Sequence, residues 1–305
     1  MPASAQLTSS KQVRFIVPFA AGGTLDVFAR VISKELGPIL GQPVIVENRP
    51  GASGGIGAEA VARAEPDGMT LMIMTNTLAT LPQLRPDLPF NIEKDLAPII
   101  ELGSTPTVMT LHPSFPARTV KEFIETAKKT PNGVDFTSPA VASAPHLAGE
   151  MFGRLAGVKL VHVPYRGSGP AVADLVAGQV KMMMAPLNLV LPFIETKQLI
   201  PLAVTNDQRT ALLPDVPTLQ EAGVPDMKPM GQWLGVMTTG GTPKDVIARY
   251  NLEIARILSN PAVRASLEAQ SFVVATSTPE EFAARLRQEI QDVTAIIKEA
   301  NITSQ

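Results

Sequence analysis

The chain has 305 residues, 45% apolar and 18% charged, with a formal net charge of −2. That length exceeds what one hydrophobic core comfortably supports, so two lobes are expected, and the apolar content excludes a disordered chain. Cysteine is absent and only three histidines occur, scattered without ligand spacing, which excludes disulfides, thiolate chemistry, a lipidated cysteine anchor and a metal centre, while the lack of a basic block excludes a nucleic-acid partner.

At the N-terminus, Ala3-Ser4-Ala5 has the small-x-small pattern that closes a secretory leader, so a secreted protein is expected, its leader removed ahead of these residues. No apolar run approaches the ~20 residues of a membrane span. From there β-type runs alternate with helical periods, the signature of α/β units around largely parallel sheets. Residues 13–17 read as a buried strand; after a loop at 18–24, Leu25, Phe28, Ala29, Ile32 and Leu36 recur at helical spacing. Further strands are predicted at 44–48, 70–74, 107–111, 134–137, 160–163, 180–184, 199–204 and 234–237. Thr119 with Glu122 and Thr278 with Glu281 form capping boxes, in which a hydroxyl and a carboxylate satisfy the orphan amides of a first helical turn. Thr242-Pro243 opens a helix with Ile247, Tyr250, Ile254, Ile257 and Leu258 on one face, and Phe282, Leu286, Ile290, Val293 and Ile297 stripe the last helix. Residues 103–106 and 224–231 are expected to cross between lobes, the chain running from lobe one to lobe two and back.

The most informative loop is Pro18-Phe19-Ala20-Ala21-Gly22-Gly23-Thr24-Leu25-Asp26, between a strand and a helix. Its glycines let backbone amides approach a bound group, and the open N–H groups of the first helical turn favour an anion. The same segment also reads as a plain chain reversal, with Asp26 simply favourable in a first turn. It is neither a dinucleotide fingerprint nor a phosphate loop, and no cofactor is expected. A second strand-loop-helix, Ser138 to His146, has the same logic; its plain reading is a capped helix start with Ser143 as N-cap. Two such helix beginnings facing one cleft would make a pincer for a carboxylate. Arg30, Arg49 and Arg166 are candidate counter-ions, or simply solvated. Gly51-Ala52-Ser53-Gly54-Gly55 matches the G-x-S-x-G nucleophile elbow, but Asn48-Arg49-Pro50 separates Ser53 from the strand end where an elbow belongs.

Taken together, several strings resemble the substrate-binding proteins of tripartite tricarboxylate transporters, the Bug-type or TctC family. They include the run from Val17 to Gly23 with Asp26 and Arg30, Val46-Glu47-Asn48-Arg49-Pro50-Gly51, Pro66-Asp67-Gly68, His146-Leu147-Ala148-Gly149-Glu150, His162-Val163-Pro164-Tyr165-Arg166-Gly167, the run from Leu213 to Thr218, and Trp233. The resemblance implies a two-lobed periplasmic-binding-protein fold of type II, each lobe a mostly parallel sheet flanked by helices. Lobe one is expected at 1–105 plus 229–305 and lobe two at 106–228, with a ligand cleft between them. It further implies a monomeric periplasmic receptor, not an enzyme, that delivers a small carboxylate to membrane permease subunits. The ligand positions it implies are Phe19, Ala21, Gly22, Gly23, Thr24, Asp26, Asn76 and Thr77 in lobe one. In lobe two they are Ser138, Ala142, Ser143, Ala144, His146, Ala185 and Asn188.

The chain departs from that family's habits at Lys181, where Asp is often found, near Ala185, where some members place an acid, at Met69, where an aromatic is usual, and at Ser53, where glycine is common. Without an acid at 185, an amino-acid ligand lacks a partner for its ammonium. Two other readings are a serine hydrolase using Ser53 and a ligand-sensing module for a signalling partner.

Overall fold

The computed structural model describes residues 12–228 and 230–299. The chain begins with β1 (Val13–Val17), α1 (Thr24–Leu40), β2 (Val44–Asn48), a 3-10 turn (Ala52–Gly54), α2 (Gly55–Ala62), β3 (Thr70–Thr75), α3 (Thr77–Leu84), α4 (Ile92–Asp95) and β4 (Leu96–Thr105). The middle holds β5 (Thr107–Leu111), α5 (Val120–Ala127), β6 (Val134–Ser138), α6 (Ala144–Ala156), β7 (Leu160–Pro164), α7 (Ser168–Val176), β8 (Met182–Pro186), α8 (Leu187–Glu195) and β9 (Ile200–Val204). The end holds β10 (Gln232–Thr239), α9 (Lys244–Ser259), α10 (Pro261–Glu268), β11 (Val273–Val274) and α11 (Pro279–Glu299).

Two sheets result, ordered β11-β4-β10-β3-β1-β2 and β7-β6-β8-β5-β9, so the first draws on both ends of the chain and the second on its middle. The ladders β2-β1-β3 and β7-β6-β8 are parallel, joined by helical crossovers. The ladders β3-β10, β10-β4, β4-β11, β8-β5 and β5-β9 are antiparallel. The sheets are therefore mixed, where mostly parallel ones were expected. The reason is directional: β4 runs toward the lobe crossing and β10 away from it, while β5 leaves the crossing and β9 returns to it.

Each predicted strand forms, and β4 and β11 add two that the periodicity did not reveal. β4 contains Pro98 and Gly103 and shows no apolar alternation. Gly103 is there for a close approach, since a Cβ would lie 2.0 Å from Val273 O on β11. The helical stripes pack as read. Phe28 of α1 meets Phe272 at 4.2 Å between ring centroids, and Phe282 of α11 meets Trp233 edge-on at 5.4 Å. α1 and α9 cover one face of the first sheet and α2, α3 and α11 the other, so neighbours Phe15 and Ile16 serve opposite cores. Burying such side chains contributes about 1.5–3 kcal/mol each. Both helix starts are capped: Thr119 accepts from Glu122 N while Glu122 reaches back to Arg118 N, one residue short of the expected box, and Thr278 and Glu281 cap each other's backbone amides.

One residue, Pro106, separates β4 from β5. The return segment is strapped to this crossing, with Thr205 N donating to Thr107 O at 2.9 Å and Thr205 Oγ1 to Met230 O at 2.6 Å. Pro229 of the second crossing and the Ala3-Ser4-Ala5 pattern lie outside the described residues. Among the described residues no helix is long and apolar enough to cross a membrane, and no group of three or more His, Asp or Glu is placed to hold a metal ion.

Candidate ligand-binding site

The strand-loop-helix from β1 to α1 sits against lobe two. Gly22 takes a φ of +79°, which an L side chain rarely adopts, and Gly23 is the N-cap of α1 with no side chain closing on the first-turn amides. The loop is held by Asp26. Its carboxylate accepts from Gly22 N at 3.1 Å, from Arg30 Nε and Nη2 at 3.0 Å each, and from Asn48 Nδ2 at 3.0 Å. Burial works against the charge of Asp26, but hydrogen bonds from Arg30, Gly22 and Asn48 outweigh it and hold the carboxyl below its usual range. Arg30 is thereby committed to Asp26, and Arg49 pairs with Glu47.

A second uncapped helix start abuts this one. α7 begins at Ser168 after Gly167, which has a φ of +142° and no capping side chain. The two lobes touch there through backbone, Ala20 N donating to Arg166 O at 2.9 Å. A Cβ built on Gly23 would stand 3.6 Å from both Ser168 N and Gly169 N. Two positive helix ends thus meet across the lobe boundary, an arrangement that repels itself and that a negative group between them would relieve. The cleft at this meeting point is lined by Phe19, Gly23, Thr24, Asp26 and Thr77 of the expected set. Ala20, Leu25, Pro139, Ser168 and Gln232 complete it. It is closed down to about 10 Å³, room for roughly one water.

The remaining expected residues take distinct places. Ala21 and Gly22 pack their backbone on Gly169. Asn188, at the start of α8, accepts from Thr24 Oγ1 at 3.1 Å across the boundary, and Ala185 lies buried on β8 opposite Val108. Asn76 and Ala144 line a separate, larger cavity. Ser138, Ala142, Ser143 and His146 build the β6–α6 loop from inside: Ser138 Oγ lies 2.7 Å from His162 Nε2, Ser143 Oγ donates to Ala140 O at 2.7 Å, and Ala142 N donates to His146 Nδ1 at 2.8 Å. The His146 and His162 rings stack at 3.7 Å. Burial, with a smaller contribution from His146, pushes His162 down to about 3. Ser143 caps α6, accepting from His146 N at 3.4 Å, so the uncapped helix start opposite α1 belongs to α7 and not to α6.

Ser168 and Gln232 were missed by sequence reasoning. Gly167-Ser168-Gly169-Pro170 follows a strand and opens a helix, the same pattern that drew attention to residues 18–26, and could have been found by it. Gln232 gives no such signal; its Oε1 is buried in the cleft wall without a partner. Ser53 does not sit on an elbow. It lies in the 3-10 turn after β2 with a φ of +53°, and its hydroxyl donates to Val141 O of lobe two at 3.1 Å.

Comparison with known proteins places these features in a setting. A family described as "Tripartite tricarboxylate transporter family receptor" matches residues 28–302. Protein BugT of Bordetella pertussis (strain Tohama I) is 34% identical over 300 residues, 98% of this chain and 92% of that protein. Three solved structures superpose closely. The periplasmic binding protein BugD has a TM-score of 0.91 at 31% identity, covering 96% of this chain and 99% of that one. Rhodopseudomonas palustris Rpa4515 with adipate has a TM-score of 0.91 at 31% identity, covering 95% and 97%. MatC from the same organism, with bound malate, has a TM-score of 0.87 at 30% identity, covering 94% and 98%. The matched family is one of receptors, and the hydrolase reading of Ser53 is set aside with it.

Proposed function

Since the chain belongs to the tripartite tricarboxylate transporter receptor family, whose members are periplasmic solute-binding proteins, we propose that it captures a small carboxylate between its lobes and presents it to the membrane subunits of such a transporter. The observation that carries this reading is the pair of uncapped helix starts, α1 and α7, opposed across the lobe boundary. Adipate on Rpa4515 and malate on MatC support a carboxylate as the group they receive.

The magnitudes favour closure over a preformed pocket. Each helix end contributes at most ~2 kcal/mol toward an anion, while micromolar binding needs about 8 kcal/mol. The balance must come from charge-assisted hydrogen bonds of about 1.5–3 kcal/mol each, from first-turn amides and hydroxyls of both lobes. Thr77 and Ser168 supply the hydroxyls, that of Thr24 being already given to Asn188. A cleft of about 10 Å³ admits no dicarboxylate as it stands, so the lobes part to load and close to hold. The moving bodies are the two lobes, turning about Pro106 and the second crossing. Secretion to the periplasm follows from the same reading.

Isothermal titration of ligand-stripped protein against mono-, di- and tricarboxylates tests the proposal. Binding of at least one, with compaction in small-angle scattering, is expected; a flat response across the panel refutes it. Co-purification with permease subunits, rather than with a sensor kinase, separates delivery from signalling.

A further inference from the structure

The strand ends divide the space between the lobes. Thr77 and Gln232 face the carboxylate cleft, while their chain neighbours Asn76 and Trp233 face a second cavity of about 670 Å³ between α11 and the start of α6. That volume is ordinary for a small-molecule site. Its lobe-two wall is apolar, with Leu147 and Met151, and Met230 continues it. Its lobe-one wall is polar and contains groups that the fold leaves unsatisfied. Asn76 is 8% exposed; its Nδ2 donates to Gly231 O at 3.2 Å, but its Oδ1 is buried without a partner. Glu289 stands beside it, and burial raises its carboxyl above the usual range despite the nearby Trp233 indole, Arg285 and Asn76. Arg285 is engaged elsewhere, ion-paired with buried Glu101 while its guanidinium lies over the Trp233 ring at 5.8 Å. Asp292 adds a second carboxylate to the same wall, and Lys228 sits only at the solvent-exposed rim.

We propose that this cavity is a second ligand site, taking a small amphipathic amine whose ammonium is held by Glu289, Asp292 and Asn76 Oδ1 and whose hydrocarbon lies on Leu147, Met151 and Met230. An ammonium presents three donors and no acceptor, which suits two carboxylates and an orphan amide oxygen on one wall. Glu289 and Asp292 disfavour a carboxylate here, since Arg285 of the same lining is paired with Glu101 and Lys228 stands at the exposed rim. Burial of the Glu289 carboxylate is costly despite Arg285 nearby, and a further cation lowers that cost. Because the walls belong to different lobes, an amine here also favours closure and couples to the carboxylate cleft, reciprocally.

The test uses the full chain with n-hexylamine as probe and hexanol and hexanoate as controls, followed by titration calorimetry. Glu289→Gln preserves shape and removes a buried charge, so it is expected to fold. One hexylamine per chain, no binding of hexanol, and at least about tenfold weaker hexylamine binding by Glu289→Gln are expected. Absence of hexylamine binding to the native chain overturns the proposal, as does equal binding by Glu289→Gln. Carboxylate affinity in Glu289→Gln should stay within about twofold of native; its loss in parallel with the amine would make the two compartments one site and overturn the inference.

Discussion

Replacing Gly169 by alanine probes the opposed helix starts with one methyl group. A Cβ at this position would lie 2.9 Å from Ala21 O, 3.1 Å from Gly22 C and 3.3 Å from Gly22 O, all backbone atoms of the other lobe. Backbone cannot swing aside as a side chain does, so the lobes must stop short of their closed contact. Within lobe two the change is harmless, because alanine is a better helix former than glycine by up to ~1 kcal/mol. Overpacking a tight contact costs about 1–3 kcal/mol, and each 1.4 kcal/mol is about tenfold in a binding constant. Carboxylate affinity should therefore fall by about 5- to 150-fold with Tm unchanged or slightly raised. Titration calorimetry reads the affinity, scanning calorimetry the Tm, and small-angle scattering the ligand-induced compaction. Native affinity in Gly169→Ala would refute the reasoning, and so would a Tm that falls in step with affinity, since the clash would then lie inside a lobe. Gly22 is a poorer probe: space around it is open, but its positive φ strains any substitute, and its N–H already serves Asp26.

Three further outcomes are expected. Ser53→Ala removes an interlobe hydrogen bond, so ligand affinity should weaken by about fivefold, worth ~1 kcal/mol, with the fold's stability unaffected; calorimetry that shows no change would deny Ser53 a part in closure. Asp26 has a lowered folded pKa, so its contribution is present above the ordinary carboxylate pKa near 4 and is lost as pH falls through the folded value. Asp26→Asn should cost about 1–3 kcal/mol at neutral pH and flatten the stability profile below about pH 4, as read by urea unfolding. His162 is neutral when folded, with a pKa of about 3, whereas the unfolded chain takes up the proton near 6.5. Stability should therefore drop as pH falls from about 6.5 toward 3, at no more than about 1.4 kcal/mol per unit and less because the ring is partly exposed; His162→Gln should shallow that slope, and an unaltered slope would exclude the imidazole as its source.

Much of this molecule was legible as sequence because its local signals agree. The α1 stripe, the Thr119 cap, the Thr278–Glu281 capping box and the strand-loop-helix at residues 18–26 each specify one local structure, and each forms. β4 was invisible for a physical reason: Pro98, Glu101 and Gly103 interrupt any alternation, and the strand is fixed by its partners β10 and β11, which lie well over a hundred residues away. The expected lobe-two hydroxyls illustrate a different limit. Ser138 and Ser143 have the right chemistry to grip a carboxylate, but that chemistry is used to hold their own loop, and only the folded geometry distinguishes the two uses. Gln232 shows the converse, a cleft residue brought there by an antiparallel return that no motif announces.

With one pyrrolidine ring between β4 and β5, the sheets cannot slide past one another, and the Thr107–Thr205–Met230 strap makes both linkers turn together. Motion about such a pivot displaces the far rim most. The Ser53–Val141 and Ala20–Arg166 contacts lie on the sides of β1 and β6, away from the hinge strands in both sheets, so in the proposed opening they would separate first and widest. Cargo would then be freed in a fixed order, from the outer seam inward. The transporter subunit proposed above would gain the longest lever arm against the pivot by prying at that outer seam.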